Sequence, residues 1–234
     1  MIDTSGWYTN PPTEEAEGFA AARDRVARLR REMGTRCPQK RKFKATTNSN
    51  HEYPVADNLL GQVFEAQEPD EVWHADITYA ETGEGWLYVA GVKDQFTGEI
   101  VGYAMGERMT QELTLSALAK AVGHRKPAPG PIHHSDRGSQ YRALEYGKLL
   151  KRHGLVASMS RKGNRYDNAP IESFWGSLKN ELVHHRKYAT RAGAEASIRE
   201  YIEIFYDRQR RQKRLGNLAP AVFAQNHRKQ PRAA

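Results

Sequence analysis

Three carboxylates carry the chemistry that this chain suggests. Asp76 stands in VWHADITYA, Asp136 in HHSDRGSQY and Glu172 in DNAPIESFWGSLKNE, with 59 residues between the first two and 35 between the last two. They belong to a chain of 234 residues whose formal net charge is +8. Like charges drawn together raise one another's pKa unless a cation compensates. Hard divalent cations take oxygen ligands, and Mg²⁺ commonly uses a few carboxylates together with substrate phosphates. Two such ions activate an attacking hydroxyl and stabilise the leaving oxygen of an in-line displacement at phosphorus. Metal-assisted phosphoryl transfer is the reaction that these residue types suit.

Each site residue also has an ordinary reading. HSDRG can be a simple turn in which Asp136 bonds backbone N–H groups and Gly138 takes positive φ. Lys179 follows Glu172 by seven residues, about 20° around a helix, so both project from one face. There Lys179 can reach a phosphate or a base, or it can pair with Glu172 or Glu181. His133 and His134 precede Asp136 and are either substrate contacts or structural histidines at a strand end. His184 and His185 read as helix-end surface residues. Neither a GxxxxGK[ST] loop nor a GxGxxG after a strand is present, so a nucleotide cofactor has no support.

Charge is spread unevenly along the chain: +4 over residues 1–44, −9 over 45–136 and +13 over 137–234. The basic second half favours a polyanion such as DNA. The single cysteine, Cys37, excludes an internal disulfide and a multi-cysteine zinc site. No run approaches the apolar length of a membrane span. The acidic opening MIDTSGWYTNPPTEEAEG lacks the order of a secretory signal, so a cytoplasmic location is expected.

The elements that must position the acids follow from periodicity. Residues 1–19 read as a mobile lead-in. AARDRVARLRREMG is a short basic helix with Val26, Leu29 and Met33 at helical spacing and Gly34 as its stop. KRKFK, within the stretch ending at Pro54, reads as a linker or an extended DNA-facing arm. VWHADITYAE alternates as a strand, with Trp73, Ala75, Ile77 and Tyr79 on one face and Asp76 beside Thr78 on the other. The turns TGEG and QFTG divide WLYVAGVKD and EIVGYAMGE from it, an antiparallel meander. QELTLSALAKAVGHR is a helix burying Leu113, Leu115, Leu118, Ala119 and Val122. PIHHSD is a fourth strand, YRALEYGKLLKRHG a helix through Leu144, Leu149 and Leu150, and LVASMS a fifth strand. A long helix starts near Asp167 or Asn168 as N-cap, with Pro170 in its first turn and Ile171, Phe174, Trp175, Leu178 and Leu182 as its buried stripe. TRAGAEASIREYIEIFYDRQR turns Ile198, Tyr201, Ile202 and Phe205 inward. The whole is an α/β fold, a mixed five-stranded sheet flanked by helices.

WHADITY, HHSDRGSQY and DNAPIESFWGSLKNE together resemble the catalytic core of DDE transposases and retroviral-type integrases. HSDRGSQY, SMSRKGNRYDNAPIESFWGSLKNEL and YIEIFYDRQRRQKRLGNLAPAVF are similar, more narrowly, to the second-frame (orfB-type) transposases of bacterial insertion sequences. The resemblance implies a ribonuclease H-like fold over about 63–229 with a basic C-terminal tail, preceded over 1–57 by a flexible lead-in and a short basic helical N-terminal arm. It implies that Asp76, Asp136 and Glu172 are catalytic and hold Mg²⁺ or Mn²⁺, two ions. It implies cleavage at the ends of a mobile element and joining of the freed 3′-hydroxyl to new DNA by transesterification. Lys179 matches the family's contact to the element end, and Arg137, Ser139, Arg161, Lys162 and Asn168 lie in blocks that position DNA. Expected partners are element-end and target DNA, further copies of the chain on that DNA, and a separate first-frame helix-turn-helix protein, all in a bacterial cytoplasm at the nucleoid. Asp207 and Gln212-Lys213 depart from the family's closing motif, where Asn and His-Ser are expected. The shortened N-terminal region leaves a second reading, a catalytically incompetent DNA-binding remnant that regulates a full-length transposase. A structure-specific nuclease on the same fold is a third.

Overall fold

The computed structural model describes residues 23–34, 55–162 and 164–229. The lead-in over 1–19, the KRKFK arm and Cys37 lie outside them. The chain separates into two compact units, residues 1–41 and 42–234. In the first, helix α1 (Arg23–Glu32) has Asp24 in its first turn and Arg30 and Arg31 in its last, the polarity that suits the helix dipole.

The second unit is built on five strands: β1 (Val72–Thr82), β2 (Gly85–Asp94), β3 (Ile100–Gly106), β4 (Ile132–Ser135) and β5 (Val156–Met159). Their order across the sheet is β3-β2-β1-β4-β5. The meander β1–β2–β3 is antiparallel, as its two short turns require. β4 and β5 then add in parallel to β1, through the longer connections that parallel pairing needs. The second turn is fixed by Asp94, whose Oδ1 accepts from the Thr97 N–H at 2.6 Å and the Thr97 hydroxyl at 2.8 Å.

Alternation along β1 divides two cores. Trp73, Ala75 and Ile77 pack with helix α2 (Gln111–Arg125) and with Tyr141, Tyr146 and Leu150. Helix α2 comes against β3 at Gly102, where a Cβ would lie 2.5 Å from the Ala117 carbonyl oxygen. Short helix α3 (Ser139–Arg142) and helix α4 (Leu144–Arg152) complete this layer. On the opposite face, Ala80, Leu87 and Val89 meet helix α5 (Ala169–Glu181), through Ile171, Phe174, Trp175 and Leu178, and helix α6 (Arg191–Glu200). A π-helical turn, Tyr201–Tyr206, and helix α7 (Pro220–Lys229) close the fold. Among the described residues no helix is long and apolar enough to cross a membrane.

Four packing expectations are corrected. Ala119 is exposed; Ala117 and Ala121 face the sheet instead. Leu144 is 70% exposed and Tyr146 fills that place in the core, because the helix is broken at Ala143 and restarts there. Tyr79 is only half-buried. Phe205 is 40% exposed while Tyr206 is 2% exposed. The wide π turn inserts extra arc into the helix, so the inward position falls one residue later than a 3.6-residue period predicts.

Candidate active site

The pairing of β4 with β1 ends at Ala75 opposite Ser135. Asp76 and Asp136 are therefore the next residue on each of two parallel neighbours, strands that stand about 4.8 Å apart. The sequence separates them widely; the strand register brings them together. Asp136 starts a turn in which its Oδ1 accepts from the Gly138 N–H at 2.8 Å. The turn reading was right in that bond and wrong in the other, for Gly138 has φ −58°.

Glu172 arrives from the other side of the site, in the first turn of α5. Asn168 is the N-cap residue by position but makes no side-chain cap bond. Its side chain instead reaches across to β1, donating to the Ala75 carbonyl at 3.0 Å and bonding His74 Nδ1 at 2.9 Å. Asn168 is 3% exposed, so direct contact with DNA, expected from its sequence block, is replaced by a role in fixing α5 to the strand that carries Asp76. His74 Nε2 completes the bridge to Gln95 Oε1 at 2.6 Å. Lys93, opposite His74 in the sheet and 4% exposed, donates to the Pro170 carbonyl at 2.8 Å. Gly91 stands opposite Asp76 and lets the Trp175 ring lie where a Cβ would come within 2.8 Å. The first turns of α5 are thus tied to β1 and β2 by polar bonds and pressed on them by an indole.

The electrostatics of Asp76 record the convergence. Its carboxyl is held well above the usual range, first by burial, then by the charge of Asp136, with Glu172 adding to the rise and Lys179 opposing it. Lys179 is lowered by burial and raised by Asp76, and its ammonium lies 4.8 Å from the centre of the Tyr79 ring. Glu172 and Lys179 do share a helix face toward β1. Glu181, the other expected partner of Lys179, is taken by Arg210 at 2.7 Å and by the Tyr201 hydroxyl at 2.6 Å. Among the described residues, no three His, Cys, Asp or Glu side chains are closed tightly enough to form a finished cation cage. The donor chemistry nevertheless suits a hard cation: Asp136 and Glu172 each repel the Asp76 carboxyl, and such repulsion between carboxylates is what a cation relieves.

The histidines before Asp136 are structural. His133 is buried and bonds the Tyr146 hydroxyl at 3.0 Å; His134 bridges Ser158 and Ser160 at 2.9 and 3.1 Å. Burial lowers them to about 3 and about 4, so both are neutral at working pH. Arg137 is half-buried and donates to the Ser160 carbonyl at 2.8 Å. Ser139 is half-buried and Lys162 exposed. Arg161 forks onto Asp167 at 2.9 and 3.1 Å, with its own side chain 54% exposed. Asp167, lowered to about 2 chiefly by Arg161, is pinned within the 3-10 turn Arg165–Asn168 that precedes α5 and is not its cap. Asp207, in the altered closing motif, accepts from the Ile100 N–H at 3.1 Å. Sequence reasoning missed His74, Lys93 and Tyr79, whose roles depend on cross-strand partners; Lys93, a charge in an otherwise apolar strand, was the one local signal.

Two integrase core domain family models match the chain, over residues 66–165 and 172–227. The chain is 60% identical over 216 residues to the insertion element IS600 uncharacterized 31 kDa protein of Shigella sonnei, covering 92% of this chain and 79% of that one. It is 42% identical over 208 residues to the transposase InsF for insertion sequence IS3A of Escherichia coli (strain K12), covering 89% and 72%. Its backbone is similar to a chain of the simian T-cell lymphotropic virus intasome in complex with PP2A regulatory subunit B56 gamma, with TM-score 0.55 at 15% identity, covering 80% of this chain and 63% of that one. The HTLV-2 integrase catalytic core domain in complex with magnesium gives TM-score 0.51 at 13% identity, covering 68% and 99%. These structural likenesses establish a ribonuclease H-like fold.

Proposed function

Because the chain belongs to the DDE transposases of the IS3 type, polynucleotidyl transferases with an integrase core, we propose that Asp76, Asp136 and Glu172 are its catalytic acids. They act in cleaving DNA at the ends of an insertion sequence and joining the freed 3′-hydroxyl to target DNA. The observation that carries this reading is the β1–β4 register, which makes Asp76 and Asp136 the next residues on two parallel neighbours, with Asp136 and Glu172 both near enough to hold the Asp76 carboxyl up. The same three carboxylates would hold Mg²⁺ or Mn²⁺, two ions, which supply activation of the attacking hydroxyl and neutralisation of the leaving oxygen.

The residues of the chain do the rest. Asp76 is held from a central strand and Asp136 from the turn that follows its neighbour, so their separation is set by the sheet. Glu172 is set by the tether of α5 to β1 and β2. Lys179, on the helix face it shares with Glu172 and over the Tyr79 ring of β1, meets the end of the element. Arg137, Ser139, Arg161 and Lys162 line the two blocks around the acids and bind the phosphate backbone, with Arg161 held in the fork of Asp167. The core extends over 63–229, with residues 1–57 as an arm outside it. The enzyme works as a multimer on element ends, with a first-frame helix-turn-helix protein as partner, in the bacterial cytoplasm.

The test is direct. Purified protein, element-end DNA and Mg²⁺ yield cleaved or joined strands, and Asp76→Asn or Glu172→Gln lowers the yield below detection while DNA binding persists. Cleavage that survives either change overturns the assignment.

A further inference from the structure

Tyr141 stands five residues after Asp136, in the short helix α3 that follows the acid's turn. Its ring is 4% exposed and packs edge-on against Tyr146, with centroids 5.3 Å apart at 87°. Its backbone N–H donates to the Gly138 carbonyl at 3.1 Å, so the same turn that sets Asp136 also sets this ring. The hydroxyl is fully buried and has no hydrogen-bond partner among the described residues. The neighbouring Tyr146, equally buried, spends its own hydroxyl on His133. A buried O–H without a partner destabilises the fold, and such groups concentrate where function requires them.

What surrounds the Tyr141 hydroxyl gives it a purpose. Burial, then Tyr146, then the carboxylates of Asp76 and Asp136 hold the phenol well above the usual tyrosine range. The ring packs in the same core as Ala75 and Ile77, the residues on either side of Asp76, and shares the Gly138 turn with Asp136, so the hydroxyl is a donor set beside the backbone that carries both acids. Two other such atoms, the Trp175 indole N–H and the Gln212 amide nitrogen, belong to α5 and to the closing segment.

We propose that Tyr141 is a positioning residue of the strand-transfer centre, whose hydroxyl donates to the Asp76–Asp136 carboxylate pair when that pair is engaged with its cation. The inference rests on the catalytic reading of those two acids. In the engaged centre the hydrogen bond consumes one carboxylate lone pair and orients the remaining oxygens, as partners behind a ligand do in metal sites generally. In the free protein the hydroxyl is a standing cost, held for that moment.

Tyr141→Phe separates the two states, since it removes one oxygen and leaves the ring in place. In metal-free protein the variant unfolds about 2–4 °C higher than wild type, as relief of one unsatisfied hydroxyl should give in a domain of this size. The rise in unfolding temperature that Mg²⁺ produces in wild type shrinks. Half-saturating Mg²⁺ for single-turnover cleavage increases about 10-fold or more, while KM for end DNA stays unchanged. A variant with the wild-type Mg²⁺ response overturns the proposal. So does a metal-free variant less stable than wild type, which would mean that the hydroxyl already has its partner. If wild type itself shows no Mg²⁺-dependent cleavage, the catalytic reading fails, whereas the metal-free comparison still reports on the hydroxyl.

Discussion

Lys93 offers the sharpest test of how the Glu172 helix is held. Its ammonium is buried at the first turn of α5, bonded to the Pro170 carbonyl at 2.8 Å, and lies 5.9 Å from the centre of the Tyr206 ring. A cation at a helix N-terminus opposes the dipole, so the contact persists against the local field. Burial, with Arg214 and Arg210, lowers Lys93 from 10.5 to about 7, while Asp207 and Asp94 oppose the fall. The folded protein thus releases this proton near pH 7, while the unfolded chain keeps it to pH 10.5. Between those values the unfolded state binds the extra proton, and stability rises with pH. At about 1.4 kcal/mol per pH unit, the step from pH 7 to 9 stabilises wild type by about 2.5 kcal/mol through Lys93 alone. Asp207 runs the opposite way: burial raises it to about 8, so its contribution falls as pH rises toward 8. The comparison is therefore made in an Asp207→Asn background, with and without Lys93→Met, by urea unfolding at pH 7, 8 and 9. The gain of about 2.5 kcal/mol should appear only where Lys93 is present. Metal-dependent cleavage by the methionine variant should drop about 10-fold or more from misplacement of Glu172. Parallel pH curves for the two proteins would refute the reasoning.

Two further changes test the packing behind the site. Gly91→Ala puts a methyl into the Trp175 ring opposite Asp76; unfolding should cost about 1–3 kcal/mol less than in wild type, and cleavage should fall with α5 displaced, both read on one preparation. Tyr206→Ala should destabilise by about 3–5 kcal/mol and Phe205→Ala by much less. Thermal melts that rank the pair the other way would restore the uninterrupted helix.

The sheet was legible because its signals are local. TGEG and QFTG announce their turns, and an apolar run such as WLYVAGV has few other uses. The helix over 111–125 was likewise bounded by its own residues, and the acids stood out by type, spacing and resemblance. What stayed hidden depends on partners far along the chain. Nothing near Asn168 says that its amide crosses to the Ala75 carbonyl, 93 positions away. Nothing near Phe205 reveals the π turn that hands its place to Tyr206. Ala119 and Leu144 are apolar residues at helical spacing on exposed faces, a pattern that periodicity cannot distinguish from a core stripe when Ala117 and Tyr146 stand beside them.

The docking of the last third of the chain has a consequence for synthesis. β5 ends at Met159, so a nascent chain can complete its sheet before Glu172 has been made. Until then one face, with Ala80, Leu87 and Val89, has nothing to cover it. The segment that covers it also brings the bonds of Arg214 to the Gln95 and Phe96 carbonyls and of Asp207 to the Ile100 N–H. Chains fold from the N-terminus as they emerge, and here the third acid arrives with the closing segment. A product halted before residue 172 by a stop codon or a stalled ribosome lacks Glu172, the third of the proposed acids, and leaves that apolar face bare.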